Sequence, residues 1–417
     1  MLSVFRDCYV NVSSLAPGEF VFPMTVHRSL FTTSLRELNN CKNALVIALV
    51  VLTACNEYPR ATDSTPVHHA STRTIDTTIT LVFGGDVMSH MPLVRAAWNP
   101  AAKVHEYLHW YEFIQPIVSG ADLAVANLET TLAGEPYTGF PCFSAPDALA
   151  VDLQRAGFDV LVTANNHVAD KGRRGIERTI RVLDSLGMYH TGSYRTQQER
   201  DTLSPLLINI KGMKVALLSY TYSTNGLPVP PPNVVNLIDD STMTHDIAQA
   251  RRKGADLIIA IMHWGNEYQT TEHPSQRRTA ELLASKGVDA IVGMHPHVLQ
   301  PISHIMFKGH SVPVAYSLGN LVGNMRKRYR NGGAMIKLTA AHRDGKTRIS
   351  SFEAIPFFVW KGQLSVPDSA SDKRALRHGF YMIPESQTSL LPVTREADQF
   401  FDDAKSILGP TQMFMIP

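Results

Sequence analysis

Cysteine is scarce in this chain, with four in 417 residues. That is too few for the dense disulfide framework that staples small secreted folds. Charge is scarce as well: 18% of residues are charged, and 39 basic against 37 acidic side chains leave a formal net charge of +2. With no clustered basic face, nothing in the composition supports a nucleic-acid partner. No apolar run reaches the ~20 residues that a membrane-spanning helix needs, and no internal repeat is visible. What remains is an ordinary globular composition, 44% hydrophobic, in a chain long enough for one large or two modest domains.

The most apolar stretch is residues 44–53, ALVIALVVLT, with Arg36 and Lys42 ahead of it. It suits a signal-peptide core of roughly 7–15 residues. It runs into Leu52-Thr53-Ala54-Cys55, which resembles a bacterial lipobox, where small residues admit the peptidase and the cysteine takes the lipid. The alternative is a plain secretory signal. Residues 1–54 are therefore read as a lipoprotein signal region, with Met24 as an alternative start. The polar residues 55–73 are read as a tether, and the protein as an extracytoplasmic one held to the membrane by a lipid on Cys55. An acylated Cys55 leaves Cys142 without a partner, so no intrachain disulfide is expected.

From residue 74 the chain settles into a rhythm of short β-branched run, polar residue, then helix. Thr77 to Phe83 reads as a strand ending at Gly84-Gly85-Asp86. Val87 to Ile117 reads as helical with interruptions. Strands are expected at Leu123–Ala126, Val160–Thr163, Asp256–Met262, Ala290–Val292 and Val312–Ser317. Helices are expected at Ala148–Ala156, Gly175–Leu186, His245–Lys253 and Ser275–Ser285. A hairpin should join Leu206–Ile210 to Lys214–Tyr220, and the Pro-rich 227–233 reads as a loop. Such alternation predicts an α/β layered domain over 74–360, with strand C-termini gathered on one edge. Runs at Ala334–Thr339 and Ile349–Ile355 suggest an added antiparallel part. Residues 361–417 read as a C-terminal extension with a helix at Ala397–Ile407.

The unusual polar residues fall at those strand ends: Asp86, Glu129, Asn166 with His167, His263, and His295 with His297. Pro296 stiffens the turn between the last two histidines by fixing φ. Taken alone, His295-Pro296-His297 is either a polar loop or a metal clip. Joined by carboxylates, an amide and a third imidazole at other strand ends, the clip is favoured, because a divalent ion takes deprotonated carboxylates and neutral imidazoles. Two close ions need a bridging carboxylate and roughly six protein ligands, which this inventory supplies.

Six segments carry a resemblance. They are Gly85-Asp86-Val87-Met88, Asn127-Leu128-Glu129, Asn165-Asn166-His167 with Asp170 and Gly172, His263-Trp264-Gly265 with Glu267, Gly293 with His295-Pro296-His297 and Gln300, and Tyr316-Ser317-Leu318-Gly319-Asn320. In this order they resemble the bacterial capsule-synthesis CapA (poly-γ-glutamate capsule) family, itself similar to the calcineurin-like metallophosphoesterases. The resemblance implies a two-sheet α/β/β/α sandwich. It also implies divalent metal ions, one or two, with Mn, Fe, Zn and Mg not distinguished.

By the same resemblance the metal ligands are Asp86, Glu129, Asn166, His263, His295 and His297, with Glu129 where the wider superfamily places a bridging aspartate. The first-motif histidine is replaced, since Val87 and Met88 follow Asp86; His90 is the candidate substitute. His167 matches the histidine near the leaving group, with Asp170 orienting it or capping the next helix. Glu267 is expected to orient His263, Trp264 to stack on substrate or to pack, and Asn320 to place a loop. Arg173, with Arg174, either grips an anion or forms a solvated basic face. The function implied is metal-dependent hydrolysis in capsule, polyanion or envelope-polymer metabolism, on an anionic polymer or phosphoester. The alternative is a non-enzymatic metal-binding scaffold of a capsule synthase complex.

Overall fold

The computed structural model describes residues 76–367 and 373–409. The expected signal region, Cys55 and the tether lie outside the described residues. The first half holds β1 (Thr77–Val87), α1 (Met91–Ala97), β2 (Trp98–Asn99), β3 (Val104–His105), α2 (Gln115–Ser119), β4 (Leu123–Leu128), α3 (Ala148–Ala156), β5 (Val160–Val162), α4 (Gly172–Ser185), β6 (Tyr189–Thr191), β7 (Ser193–Tyr194) and α5 (Gln197–Leu203). The second half opens with β8 (Leu206–Ile210), β9 (Met213–Thr221), β10 (Val234–Val235), α6 (Asp240–Arg252), β11 (Leu257–His263), α7 (Pro274–Lys286) and β12 (Ala290–Met294). It closes with β13 (Ile302–Phe307), β14 (His310–Ala315), β15 (Asn320–Val322), β16 (Gly332–Arg343), β17 (Lys346–Pro367), β18 (Arg374–Pro384) and α8 (Arg395–Leu408).

Two sheets face each other. One runs β18-β17-β16-β1-β4-β5-β6 with β15 beside β1, and the other runs β13-β14-β12-β11-β9-β8. Period-two alternation sorts the side chains. In β11, Leu257, Ile259 and Ile261 join the large core between the sheets. Their neighbours Ile258, Ala260 and Met262 pack outward with Met243 and Ile247 of α6 and Ala280 and Leu283 of α7. A strand buried on both faces needs this near-continuous apolar run. The α/β sandwich is the expected one.

Strands β1, β4, β5 and β6 are mutually parallel, as are β9, β11, β12 and β14. Parallel strands deliver their C-terminal residues to one edge, and that edge carries every candidate ligand.

Four expectations need correction. The boundary at 360/361 falls inside β17, which pairs with β18 from Phe357 to Pro367, so these residues complete the first sheet. Residues 87–117 are helical at Met91–Ala97, in a 3-10 turn at Leu108–Tyr111 and from Gln115, broken because Pro100 forces Asn99 out of the helical region and a small hairpin of β2 and β3 intervenes. The helix expected from His245 begins at Asp240, where the Asp239 carboxylate accepts the Thr242 N–H at 2.8 Å and caps it. Cys142 is disulfide-bonded, where no intrachain disulfide was expected.

Candidate metal centre

The centre forms where the segment joining β14 to β15 passes close against β12 of one sheet and β1 of the other, and two glycines permit it. A Cβ on Gly85 would sit 2.0 Å from the Gly319 carbonyl oxygen, and one on Gly293 2.0 Å from that of Tyr316. No larger residue fits either place. Asp86, next to the first of these, donates its N–H to Gly319 O at 3.1 Å. Its carboxylate accepts from the His295 backbone N–H at 3.0 Å and from the Asn127 side-chain amide at 2.7 Å. The first bond ties the sheets together. It also holds His295 at φ +97, with His297 at φ +56, left-handed conformations that cost non-glycine residues energy and concentrate at functional sites.

Six expected ligands converge. One donor atom each from Asp86, Glu129 and His263 lies within 4.8 Å of the others, and the same holds for Glu129, His295 and His297. Glu129 belongs to both groups. Its Oε1 is 3.6 Å from His263 Nε2 and 3.7 Å from His297 Nε2. Asn166 joins through Oδ1, 2.9 Å from His263 Nε2. All six are at most 2% exposed.

The donor chemistry fits a divalent cation. Both carboxylate oxygens of Glu129 and Nδ1 of His295 are buried without a hydrogen-bond partner, and such groups are expensive unless something satisfies them. Burial, and then the nearby Asp86 carboxylate, pushes Glu129 well above the usual carboxylate range. Burial and the neighbouring imidazoles push His263 and His295 well below the ordinary histidine value. Neutral imidazoles are the form that ligates a metal, and a shared carboxylate between two donor groups is the arrangement that two close cations need.

Three asparagines orient this set, and sequence reading singled out one of them. Asn320 Oδ1 lies 3.0 Å from His297 Nδ1, a direct hold on a ligand rather than the loop-placing role expected. Asn127 holds Asp86 and approaches His263 Nδ1 at 3.2 Å. Asn165 donates to Asn127 Oδ1 at 3.1 Å and to Leu128 O at 2.8 Å. Asn127 stands two residues before Glu129 near the end of a strand, so period-two alternation was the signal for it.

His167 and Asp170 meet as expected: Nδ1 is 2.8 Å from Oδ2. The same carboxylate oxygen accepts the Phe143 N–H at 2.6 Å, and the Phe143 ring stands edge-on to the imidazole at 4.6 Å. Asp170 therefore orients His167 and does not cap α4.

Other expected residues lie elsewhere. Glu267 is exposed on the loop after β11, and both nitrogens of His263 face other groups, so Asn127 takes the orienting role expected of Glu267. Trp264 is buried and donates Nε1–H to Tyr316 O at 2.9 Å; it packs the second sheet and presents no face to substrate. Arg173, largely exposed, pairs with Glu177 at 2.7 Å, the solvated face of the two readings. His90 is in neither donor group; its Nδ1 accepts the Asn324 N–H at 3.4 Å. Burial, then His297, His167 and Lys361, lowers it to about 4.

Sequence reading missed the mouth. Tyr222, just past the end of β9, has its ring 4.5 Å from that of His295, and Tyr268 has its ring 6.1 Å from that of His297. Both are partly exposed, 44% and 37%, beside ligands that are sealed.

Comparison with known proteins follows the same line. The chain is 27% identical over 357 residues to the capsule biosynthesis protein CapA of Bacillus anthracis, covering 82% of each chain. It is 27% identical over 270 residues to the PGA biosynthesis protein CapA of Bacillus subtilis, covering 61% of this chain and 68% of that one. Among solved structures, the NAD nucleotidase of Haemophilus influenzae aligns at TM-score 0.46 and 13% identity, over 81% of this chain and 63% of that one. The calcineurin-like phosphoesterase YfkN of Bacillus subtilis aligns at TM-score 0.41 and 15% identity, over 79% and 98%. The profile of the bacterial capsule synthesis proteins, PGA_cap, matches residues 80–325, a span that holds every proposed ligand, and this chain belongs to that family.

Proposed function

We propose that this chain is a metal-dependent hydrolase of the phosphoesterase type, working in capsule, poly-γ-glutamate or envelope-polymer metabolism. The observation that carries the reading is Glu129, buried and unpartnered between two donor groups, with the His167–Asp170 pair beside it. Divalent cations, when bound there, activate water and neutralise charge on phosphoryl oxygens. The protein's own part is positional and protonic. Asp86, Glu129, Asn166, His263, His295 and His297 bind the ions. Asp170 holds His167 through Nδ1, which leaves Nε2 to give a proton or hydrogen bond to the departing oxygen.

A second reading, a metal-binding scaffold within a synthase complex, draws support from Val87 and Met88, which stand where the superfamily has its first histidine, and from His90 lying in neither donor group. Bound metal, and turnover of phosphomonoesters, phosphodiesters and poly-γ-glutamate, separate the two. Hydrolysis that vanishes in His297→Ala with the metal, and in His167→Ala without loss of metal, supports the enzyme. Metal bound without turnover of any of these supports the scaffold.

The extracytoplasmic lipid anchor is part of the same proposal and rests on residues 44–55. Lipobox cleavage would remove Cys8 and Cys41 and acylate Cys55, so the anchored form would leave Cys142 without a partner in its own chain. Palmitate labelling that is lost in Cys55→Ala supports the anchor, whereas a Cys55–Cys142 disulfide in non-reducing peptide maps would overturn it.

A further inference from the structure

Beside the sealed ligands stands a cation that nothing in the centre uses. The Arg330 guanidinium lies over the Tyr268 ring, 3.3 Å from its centroid, and Tyr268 in turn faces His297. Its neighbour Arg328 is committed to a two-pronged pair with Asp403, at 2.9 and 2.7 Å. Arg330 has no carboxylate partner among the described residues. Burial and then the adjacent Glu267 carboxylate raise the Tyr268 phenol to about 12.

The platform is held in place at some cost. Tyr268 sits at φ +67 and Tyr329 at φ +70, left-handed conformations that are costly for bulky residues. Tyr268 N–H donates to the Pro296 carbonyl at 2.7 Å, between the two ligating histidines, and Arg330 N–H donates to Lys327 O at 3.0 Å. The arginine is thus clipped, through one aromatic ring, to the loop that carries the metal ligands. A guanidinium laid flat on a ring keeps its edge N–H groups free, and that edge is the fork that matches a carboxylate or phosphate.

We propose that Arg330, carried by Tyr268, is a subsite for an oxyanion group of the substrate, flanking the bond held at the metal centre. This deepens the hydrolase reading and rests on it for the identity of the reacting bond. The ligand chemistry is a carboxylate or a phosphate on a molecule that extends past the centre. It follows that the substrate carries at least two polar groups, one at the ions and one at Arg330. Tyr222 stands beside His295 at the same centre.

The test is calorimetric binding of two probes, a tri-γ-glutamate peptide and tripolyphosphate, to the full chain loaded with Mn2+ and to the same chain after chelation. Arg330→Ala is expected to weaken the preferred probe by about tenfold or more, as losing a charge-assisted pair does, with bound metal per chain unchanged. Arg330→Lys should recover only part of that loss, because a point charge replaces the fork. Thermal melting of both variants controls for misfolding. The preferred probe identifies the source of the oxyanion. Arg330→Ala binding both probes within about twofold of wild type would overturn the subsite, as would a wild-type chain that binds neither. If anion binding depends on Arg330 while the chain takes up no metal, the subsite stands and the hydrolase reading fails, so the two are separable.

Discussion

Asn320 offers the sharpest test of the centre, because it touches a ligand without being one. Its Oδ1 sits 3.0 Å from His297 Nδ1 while His297 Nε2 looks toward Glu129. If Nε2 is the ligating atom, Asn320 sets the tautomer by accepting the Nδ1 proton. Removing such a partner costs about 10–100-fold in metal affinity, or roughly 1.4–2.8 kcal/mol. Asn320→Ala should show that loss in competition titrations with Mn2+. The same effect appears in melting. With free ion at about 100 Kd, binding stabilises the wild type by about 2.7 kcal/mol, and a 100-fold weaker variant keeps only about 0.4. The difference of ~2.3 kcal/mol corresponds to a fall in Tm of roughly 3–5 °C for a domain of this size.

The chelated proteins supply the control. Asn320 Nδ2 also reaches Met325 Sδ at 3.6 Å, so the variant loses some metal-independent packing, and only the difference between loaded and chelated forms counts. Asn320→Asp should bind metal at least as tightly as wild type, since a carboxylate makes His297 a more basic ligand. An Asn320→Ala chain that titrates like wild type would refute the assignment of His297 Nε2 as the ligand atom.

Asp170→Asn should lower turnover by about 10²-fold or more while metal content holds, since it disturbs the proton arrangement at His167; unchanged kcat on a phosphodiester removes His167 from the chemistry. Gly293→Ala drives a methyl to 2.0 Å from Tyr316 O and 2.5 Å from Trp264 Nε1. It should cost about 3 kcal/mol or more by denaturant unfolding, and a wild-type midpoint would show that the strands do not approach so closely. Burial, followed by Arg326, pulls Lys361 from 10.5 down to about 7, so folding expels a proton between those values. The stability contributed is present above pH 10.5 and lost as pH falls through about 7. Lys361→Met should therefore be the more stable chain near pH ~6, by at most roughly 4–5 kcal/mol, and lose that advantage in base. A pH-independent difference between the two would show that the amine is solvated.

The parallel elements were legible in the residues because burial on both faces writes itself as apolar runs ended by glycine. The runs Asp256–Met262 and Ala290–Val292 needed no structure to be seen as strands, within one or two residues of β11 and β12. Two of the edge strands were not. β13, ISHIMF, and β18, RALRHGFYMIP, mix polar and apolar residues because only one face or one end is covered, and a sequence window cannot tell that from a loop. At the centre, charged and imidazole side chains announced themselves by type. Asn127 and Asn165 did not, since an asparagine earns its role only from what lies across the strand. The mouth was hidden for a different reason. Tyr268 and Arg330 are 62 positions apart by their numbers, and nothing local brings an aromatic to an arginine over that span.

One division was invisible in the sequence and has consequences for stability. Asp86, Glu129 and Asn166 close or follow strands of the first sheet, and His263, His295 and His297 close or follow strands of the second. The oxygen ligands thus come from one sheet and the imidazoles from the other, and each donor group spans the two. In the chelated protein the sheets are joined at this edge by the bond from His295 N–H to Asp86 and by the apolar core beneath, against the cost of an unsatisfied Glu129. A cation bound to both groups would close that edge as an inter-sheet link. Metal would then stabilise the docking of two sheets, not one loop. Amide exchange should consequently slow on addition of Mn2+ in the ends of β4 and β11 together, on opposite sheets. Protection confined to the loop at His295–His297 would mean that the ion sits on the second sheet alone and that Glu129 does not bridge.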